Sequence, residues 1–337
     1  MARVTLRAVA KKAGVSYQTV SNVINNMDIV RPETRDRVKA VIEQMGYVPN
    51  YAARALRQAR SMTVACVFYQ VHASEVQDPY RTFVQAALAH AARNNNYSLL
   101  TYHVTDEPDS LRDIMQHFAQ GRLDGAVLVG PSLPEQAQLQ LKRSGQPLVI
   151  FDHSHPHKRW LSVTAEYREG ILAVLQHLSQ KGKRRIAFLA GHTSDSGNSG
   201  EERLQAYLDG MDELGVGTPA GYIQQGNWSF EGGKAAFRQF WLLNSRPEAI
   251  IAANDRMAAG LLNAALHAGV RVPQDLAITG VDDFEFTQYL VPSLTTVSVP
   301  YQQMADTAIK LLLEQMEGQT RSGVVRLPVT LKTRESS

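Results

Sequence analysis

The chain has 337 residues, with 35 Lys and Arg against 32 Asp and Glu, a formal net charge of +3, and a single cysteine. One cysteine excludes an internal disulfide framework and fits a reducing compartment, and no apolar stretch has the length of a membrane span. With no leader-like pattern at the N-terminus, a cytoplasmic location is expected.

The near-neutral total hides an asymmetry. Residues 1–60 carry eleven Lys and Arg against four Asp and Glu, a net of +7, whereas the remainder carries 24 basic against 28 acidic groups, a net of −4. A basic head on a mildly acidic body suits the phosphate backbone of a nucleic acid.

The head reads as three short helices. Leu6, Val9, Ala10 and Ala13 recur at helical spacing and make one apolar face. Gly14 can adopt the left-handed conformation that ends this helix, and Ser16 is placed to cap the next. Val20, Val23 and Ile24 form the second apolar stripe, leaving Tyr17, Gln18, Ser21 and Asn22 facing outward. Tyr, Gln and Asn can hydrogen-bond base edges or phosphates in a major groove. A third helix is predicted from Pro32 to Met45, with Val38, Val41, Ile42 and Met45 on one face. An αα-hairpin would share this pattern, but the local charge favours a helix-turn-helix.

The segments Val4-Thr-Leu, Val9-Ala, Ala13-Gly-Val-Ser-Tyr-Gln-Thr-Val-Ser, Val23-Ile-Asn, Thr34-Arg and Gly46-Tyr-Val-Pro-Asn together resemble the lactose-repressor (LacI) family of transcription regulators. The resemblance implies a recognition helix beginning at Ser16, with Tyr17, Gln18 and Asn22 touching bases. It also places Thr5, Ser16, Thr19, Ser21 and Asn25 at the DNA. Asn22 stands where the type member of the family has Arg, so a different operator base is expected, since Arg favours guanine and Asn favours adenine. Arg31 stands where the family has a capping Ser or Thr, which predicts a weaker start to the third helix.

Residues 50–61 are Ala-rich, basic and too short for a stable isolated helix, which predicts folding on DNA. In the family such a segment is a hinge helix paired with its dimer mate in the minor groove. Asn50, Ala53 and Leu56 then contact DNA, and Leu56 matches a leucine that wedges between base pairs. Packing within a helix pair is the other reading of Leu56. The expected division is a helix-turn-helix domain over 1–48, a hinge over 49–61, and a two-lobed core over 62–337.

In the body, strand-like runs at 63–68, 99–102, 126–129, 148–151, 186–190, 249–252 and 276–279 alternate with amphipathic stretches. Leu111, Ile114, Met115 and Phe118 mark one stretch, Ile171, Val174, Leu175 and Leu178 a second, and Ile309, Leu312, Leu313 and Met316 a third. The alternation predicts an α/β core with parallel sheets, whose ligands sit at the carboxyl ends of strands. The resemblance adds two lobes like those of a periplasmic sugar-binding protein, with crossings near 162–165, 297–299 and 318–324.

Strand ends carry the candidate ligand groups. Asp152 follows 148–151, Asn254-Asp255 follows 249–252, and Asp282 follows 276–279. Arg203 is expected to open the helix after 191–200, Trp228 lies in Gly226-Asn-Trp-Ser, and Tyr80 follows Asp78-Pro79. Carboxylates, an amide and a guanidinium can pair with vicinal hydroxyls, while an indole stacks on a sugar ring. Asp152, Arg203, Trp228, Asn254 and Asp282 match effector positions of sugar-responsive family members. Helix capping is the alternative for strand-end Asp and Asn, and for Asp255 it weighs at least as much.

His153, His155 and His157 alternate, but Pro156 and neighbouring polar residues read as a loop, so no metal is expected. Gly232-Gly-Lys lacks the rest of a phosphate-binding loop, and Gly215-Val-Gly-Thr-Pro-Ala-Gly has the wrong spacing for a dinucleotide fingerprint. Asp282-Asp283 and Glu201-Glu202 are sequence neighbours whose side chains diverge. No Gly-x-Ser-x-Gly elbow is present. No catalytic residue and no cofactor are therefore expected. The expectation is a regulator, a repressor, acting as a homodimer on a palindromic operator and controlled by a sugar or sugar derivative. The lack of C-terminal leucine heptads favours a dimer over a tetramer. The alternatives are a purine-like corepressor, a solute-binding protein, or an α/β enzyme with an appended regulatory domain.

Overall fold

A computed structural model describes residues 4–24, 27–47, 60–69, 78–105, 109–129, 135–153, 160–191 and 199–337. The chain divides into two compact units, Met1–Ser61 and Met62–Ser337.

The first unit holds α1 (Leu6–Ala13), α2 (Tyr17–Ile24) and α3 (Pro32–Met45). Each boundary has a local cause. The Thr5 hydroxyl accepts from Ala8 N–H at 3.3 Å and Gly14 closes α1 at φ 66°. The Ser16 hydroxyl accepts from Thr19 N–H at 3.1 Å and starts α2. Arg31 makes no side-chain cap, leaving Pro32 and its fixed φ to start α3, and Gly46 ends it at φ 58°. Val9, Ala10, Ala13, Val20, Val23 and Val38 share one core with Val30 and Tyr47, which periodicity alone did not single out.

The second unit contains two six-stranded sheets among the described residues, each the core of one lobe. In the first sheet the strands are β1 (Thr63–Tyr69), β2 (Ser98–Val104), β3 (Gly125–Val129), β4 (Leu148–Phe151), β5 (Leu161–Ala165) and β11 (Gly323–Leu327). Their order is β11-β5-β4-β3-β1-β2, and every pairing is parallel. In the second sheet they are β6 (Ile186–Ala190), β7 (Ile223–Gln225), β8 (Ala249–Ala252), β9 (Ala277–Asp282), β10 (Thr295–Ser298) and β12 (Thr330–Lys332). Their order is β12-β10-β9-β8-β6-β7, with only β12 antiparallel.

Helices connect the strands: α4 (Pro79–Asn94), α5 (Arg112–Ala119), α6 (Glu135–Arg143), α7 (Tyr167–Gln180), α8 (Ser199–Glu213), α9 (Phe230–Trp241), α10 (Asp255–His267) and α11 (Tyr301–Met316). Fully buried strands such as β3, β4 and β6 read as unbroken apolar runs because helices cover both faces of a parallel sheet. No helix of the described residues is long and apolar enough to cross a membrane.

The chain passes between lobes three times. It leaves the first sheet after β5 and enters α7, which packs in the second lobe against α8, β10 and β12. It returns after β10 into α11, which packs against α4, β3, β4 and β5. The third passage joins β11 to β12 through Pro328 and Val329. The expectation of a crossing within 318–324 is thus corrected: Gly318 ends α11, Gly323 starts β11, and both remain in the first lobe. Those glycines sit at φ 86° and 119° and make a turn rather than a passage.

Candidate functional site

In the head, the second helix presents a polar, uncharged surface. Tyr17 is 53% exposed, Gln18 is exposed, and Asn22 is half-buried. Gln18 Nε2 donates to Asn22 Oδ1 at 3.0 Å, so two expected base readers hold one another at i,i+4 spacing. Ser16 and Thr19 share a hydroxyl contact of 2.9 Å at the start of the helix. Ser21 corrects the outward assignment, because it is buried at 5% exposure. It lies one residue after buried Val20 and three before Ile24, on the edge of the apolar stripe rather than opposite it. Lys11 and Lys12 are exposed in the last turn of the preceding helix. Asn25, Asn50, Ala53 and Leu56, with most of the expected hinge, lie outside the described residues.

In the body, the strand ends bring most expected ligand groups together. Asp152 leaves β4 at φ 61° and Asp282 ends β9 at φ 124°, and both are buried. Tyr80 from α4 donates to Asp152 Oδ2 at 2.9 Å, and Tyr167 from α7 donates to Oδ1 at 2.6 Å. Tyr301, the first residue of α11, donates to Asp282 Oδ1 at 2.7 Å. The other oxygen of Asp282 makes no hydrogen bond among the described residues.

Arg203 is a cation whose charge acts on both carboxylates. It is the fifth residue of α8 rather than its opening residue, and it is 3% exposed. Nη1 donates to Ala253 O at 2.5 Å, while Nε is a buried donor without a partner among the described residues. The guanidinium stacks over the Tyr167 ring at 4.0 Å and lies 5.7 Å from the Trp228 ring. Burial works against its charge, but Tyr167, Asp282, Tyr301 and Asp152 outweigh that and raise its pKa.

Burial also sets the state of the acids. It pushes Asp282 up to about 7, against the pull of Arg203 and the Tyr301 hydrogen bond, with Asp152 and Asp78 adding to the rise. Asp152 is raised for the same reason, with Arg203, Tyr167 and Tyr80 opposing. The three tyrosines sit well above their ordinary range, again through burial first and the aspartates second, so they act as neutral donors.

Trp228 sits at φ 62° against Gly191, where an added Cβ would fall 1.9 Å from the indole. Asn254 caps α10 through Met257 N–H at 2.9 Å and donates from Nδ2 to Trp228 O at 3.1 Å. It therefore serves the capping alternative and also ties down the indole loop. Asp255 is enclosed: it accepts from Thr296 at 2.5 Å and Phe284 N–H at 3.1 Å and leaves no atom for a ligand.

Four residues that the sequence did not point to complete the site: Tyr167, Tyr301, Asp78 and Arg256. The first two follow predicted lobe crossings directly, which is the signal that would have found them. Asp78 and Arg256 pair at 3.3 Å between α4 and α10. No group of three His, Cys, Asp or Glu among the described residues is arranged for a metal ion, and His155 and His157 lie outside them.

Residues 5–50 match the lacI family of bacterial regulatory proteins, and residues 175–337 match the periplasmic binding protein-like domain. The chain is 29% identical over 315 residues to the HTH-type transcriptional repressor CytR of Escherichia coli, covering 94% of this chain and 90% of CytR. It superposes on the lac repressor dimer bound to operator and the anti-inducer ONPF with a TM-score of 0.81 and 27% identity, covering 99% of each chain. It superposes on the transcriptional regulator CelR in its cellobiose complex with a TM-score of 0.75 and 28% identity, covering 99% of this chain and 100% of CelR. These relatives are transcriptional regulators. The chain thus joins a lacI-family helix-turn-helix head to a two-lobed, periplasmic-binding-protein-like body.

Proposed function

We propose that the chain is a sequence-specific transcriptional repressor whose operator affinity is set by a saccharide held between the two lobes of its body. One observation carries the ligand class. Among the described residues the buried Nε of Arg203 has no partner, and Asp282 keeps one carboxylate oxygen without a hydrogen bond in the same electrostatic neighbourhood. An unpaired buried donor costs about 1–3 kcal/mol, so a ligand that satisfies it gains on binding. A donor and an acceptor that feel one another's charge suit vicinal hydroxyls, and the half-buried indole of Trp228 offers an apolar face to a sugar ring. Tyr17, Gln18 and Asn22 are the proposed base readers, and a homodimer would present two such helices to a palindromic site.

Control follows from the three passages between lobes. A ligand that binds one lobe arrangement more tightly shifts the population toward it, and the hinge transmits that bias to the head. The test is a thermal-shift screen of monosaccharides, disaccharides, nucleosides and nucleobases, followed by operator binding with each hit. A saccharide that raises the melting temperature and changes operator affinity is the expected result. A nucleobase as sole hit would replace the saccharide with a purine-like corepressor. Loss of salt-sensitive preference for a palindromic site would overturn the regulatory reading itself.

A further inference from the structure

We propose that Tyr167 and Tyr301 are positioning residues of the effector site, each aiming the strand-end carboxylate of the lobe opposite its own helix. The inference rests on the effector reading above. Helix α7 packs in the second lobe, yet Tyr167, its first residue, donates to Asp152 of the first lobe at 2.6 Å. Helix α11 packs in the first lobe, yet Tyr301, its first residue, donates to Asp282 of the second at 2.7 Å. The arrangement is reciprocal, and both rings are buried.

Each tyrosine is the first helical residue after a passage between lobes, so its hydroxyl moves with the hinge. Each aspartate has a positive φ, where a non-glycine residue is strained and local backbone preference does not settle the side chain. The hydroxyls settle it instead. Tyr80 and Tyr167 occupy both oxygens of Asp152, whereas Tyr301 holds one oxygen of Asp282 and leaves the other directed by that contact. A rotation of the lobes that breaks the two contacts releases Asp282 and leaves Asp152 held by Tyr80 alone. The ligand then meets aimed acceptors in one lobe arrangement only, which is the differential affinity that allosteric control needs.

The groups facing Asp282 are Arg203 from α8, Tyr301 from α11, Asp152 after β4, Asp78 before α4 and Asp255 from α10, with Tyr80 and Tyr167 nearby. Among them Tyr301 alone donates a side-chain hydrogen bond to it, favouring the ionised form. Removing that hydroxyl therefore shifts Asp282 ionisation upward, whereas removing a mere packing contact does not.

The experiment uses the full chain titrated with D-glucose, D-galactose, D-ribose, cellobiose and lactose by calorimetry across about pH 6 to 8, with the tightest binder carried forward. Tyr301→Phe keeps the ring and should weaken binding about tenfold or more. It should also move the pH at which affinity is half-lost upward. Tyr167→Phe should weaken binding comparably with a smaller pH shift, since Asp152 retains the Tyr80 hydrogen bond. Asp282→Asn should lose the main pH transition with or without the Tyr301 hydroxyl, which holds even if one variant melts early. Wild-type affinity and pH profile in Tyr301→Phe would overturn the inference while leaving the effector reading intact. If the wild-type chain binds none of these sugars, both fall together.

Discussion

Asp78 and Arg256 form an inter-lobe ion pair at 3.3 Å, with side chains only 16% and 13% exposed. Asp78 also caps α4 by accepting from Tyr80 N–H at 3.1 Å, and Arg256 lies over the Phe230 ring at 5.3 Å. A second pair, Arg326 of β11 with Glu202 of α8 at 2.7 Å, also joins the lobes. Glu202 immediately precedes Arg203, so this pair adjoins the proposed ligand site.

Breaking the first pair should destabilise the body. Burial already raises Asp78 despite Arg256, so Arg256→Met would leave a desolvated carboxylate with less compensation. A loss of about 1–3 kcal/mol is expected, read as a fall in denaturant midpoint. The Asp78→Asn, Arg256→Met double variant should lose less than the two single losses combined, because the pair is one interaction. Additive losses would show that the lobes are not tied there.

The indole of Trp228 depends on Gly191. A Cβ at Gly191 would fall 1.9 Å from the ring, and the ring must leave. Gly191→Ala should therefore cost saccharide affinity about as much as Trp228→Ala, on the order of tenfold or more. Cellobiose titration of both variants checks this, and the head should remain folded by circular dichroism. Full affinity in Gly191→Ala would remove the indole from the ligand face.

Much of this architecture is readable from residue patterns, and the gaps have physical causes. Strands at 148–151, 186–190 and 249–252 agree with the structure to the residue because they are buried on both faces and unbroken. The strands β7, β11 and β12 are short and partly exposed, so they carry no apolar run. Helix α10 is buried on most sides and rich in Ala, which blurs its period. The strand-end aspartates were readable because parallel sheets place ligands there. Their tyrosine partners were not, since Tyr167 and Asp152 meet only when α7 and β4, in different lobes, face each other. Ser21 misled because an edge position on a short helix alternates between core and solvent with a few degrees of roll.

Operator choice should turn on Asn22. Gln18 and Asn22 brace each other at 3.0 Å, so Asn22→Arg changes the reader and frees Gln18. Selection of binding sites from random duplexes should show adenine giving way to guanine at one position per half-site, worth about 1–3 kcal/mol per base pair. Ser21→Ala should leave the selected sequence unchanged, since that side chain is buried. An unchanged site for Asn22→Arg would place base reading elsewhere on the helix.

Effector affinity should depend on pH through Asp282. Its carboxyl titrates at about 7 in the folded chain, above the unfolded value of about 3.9. Between those values the folded state holds more protons than the unfolded state. For the free protein, this group's stabilising contribution is therefore complete below the unfolded value and lost as the pH rises through about 7. The ligand reverses the preference, because a sugar hydroxyl donates best to the ionised carboxylate. Saccharide affinity should thus be greatest above neutrality and fall toward about tenfold per pH unit once the pH is well below 7. Asp152, also raised by burial, adds a trend of the same sign. Asp282→Asn should flatten the main transition while weakening binding throughout. A wild-type affinity that is constant from about pH 6 to 8 would mean that the ligand does not use the Asp282 carboxylate as its acceptor.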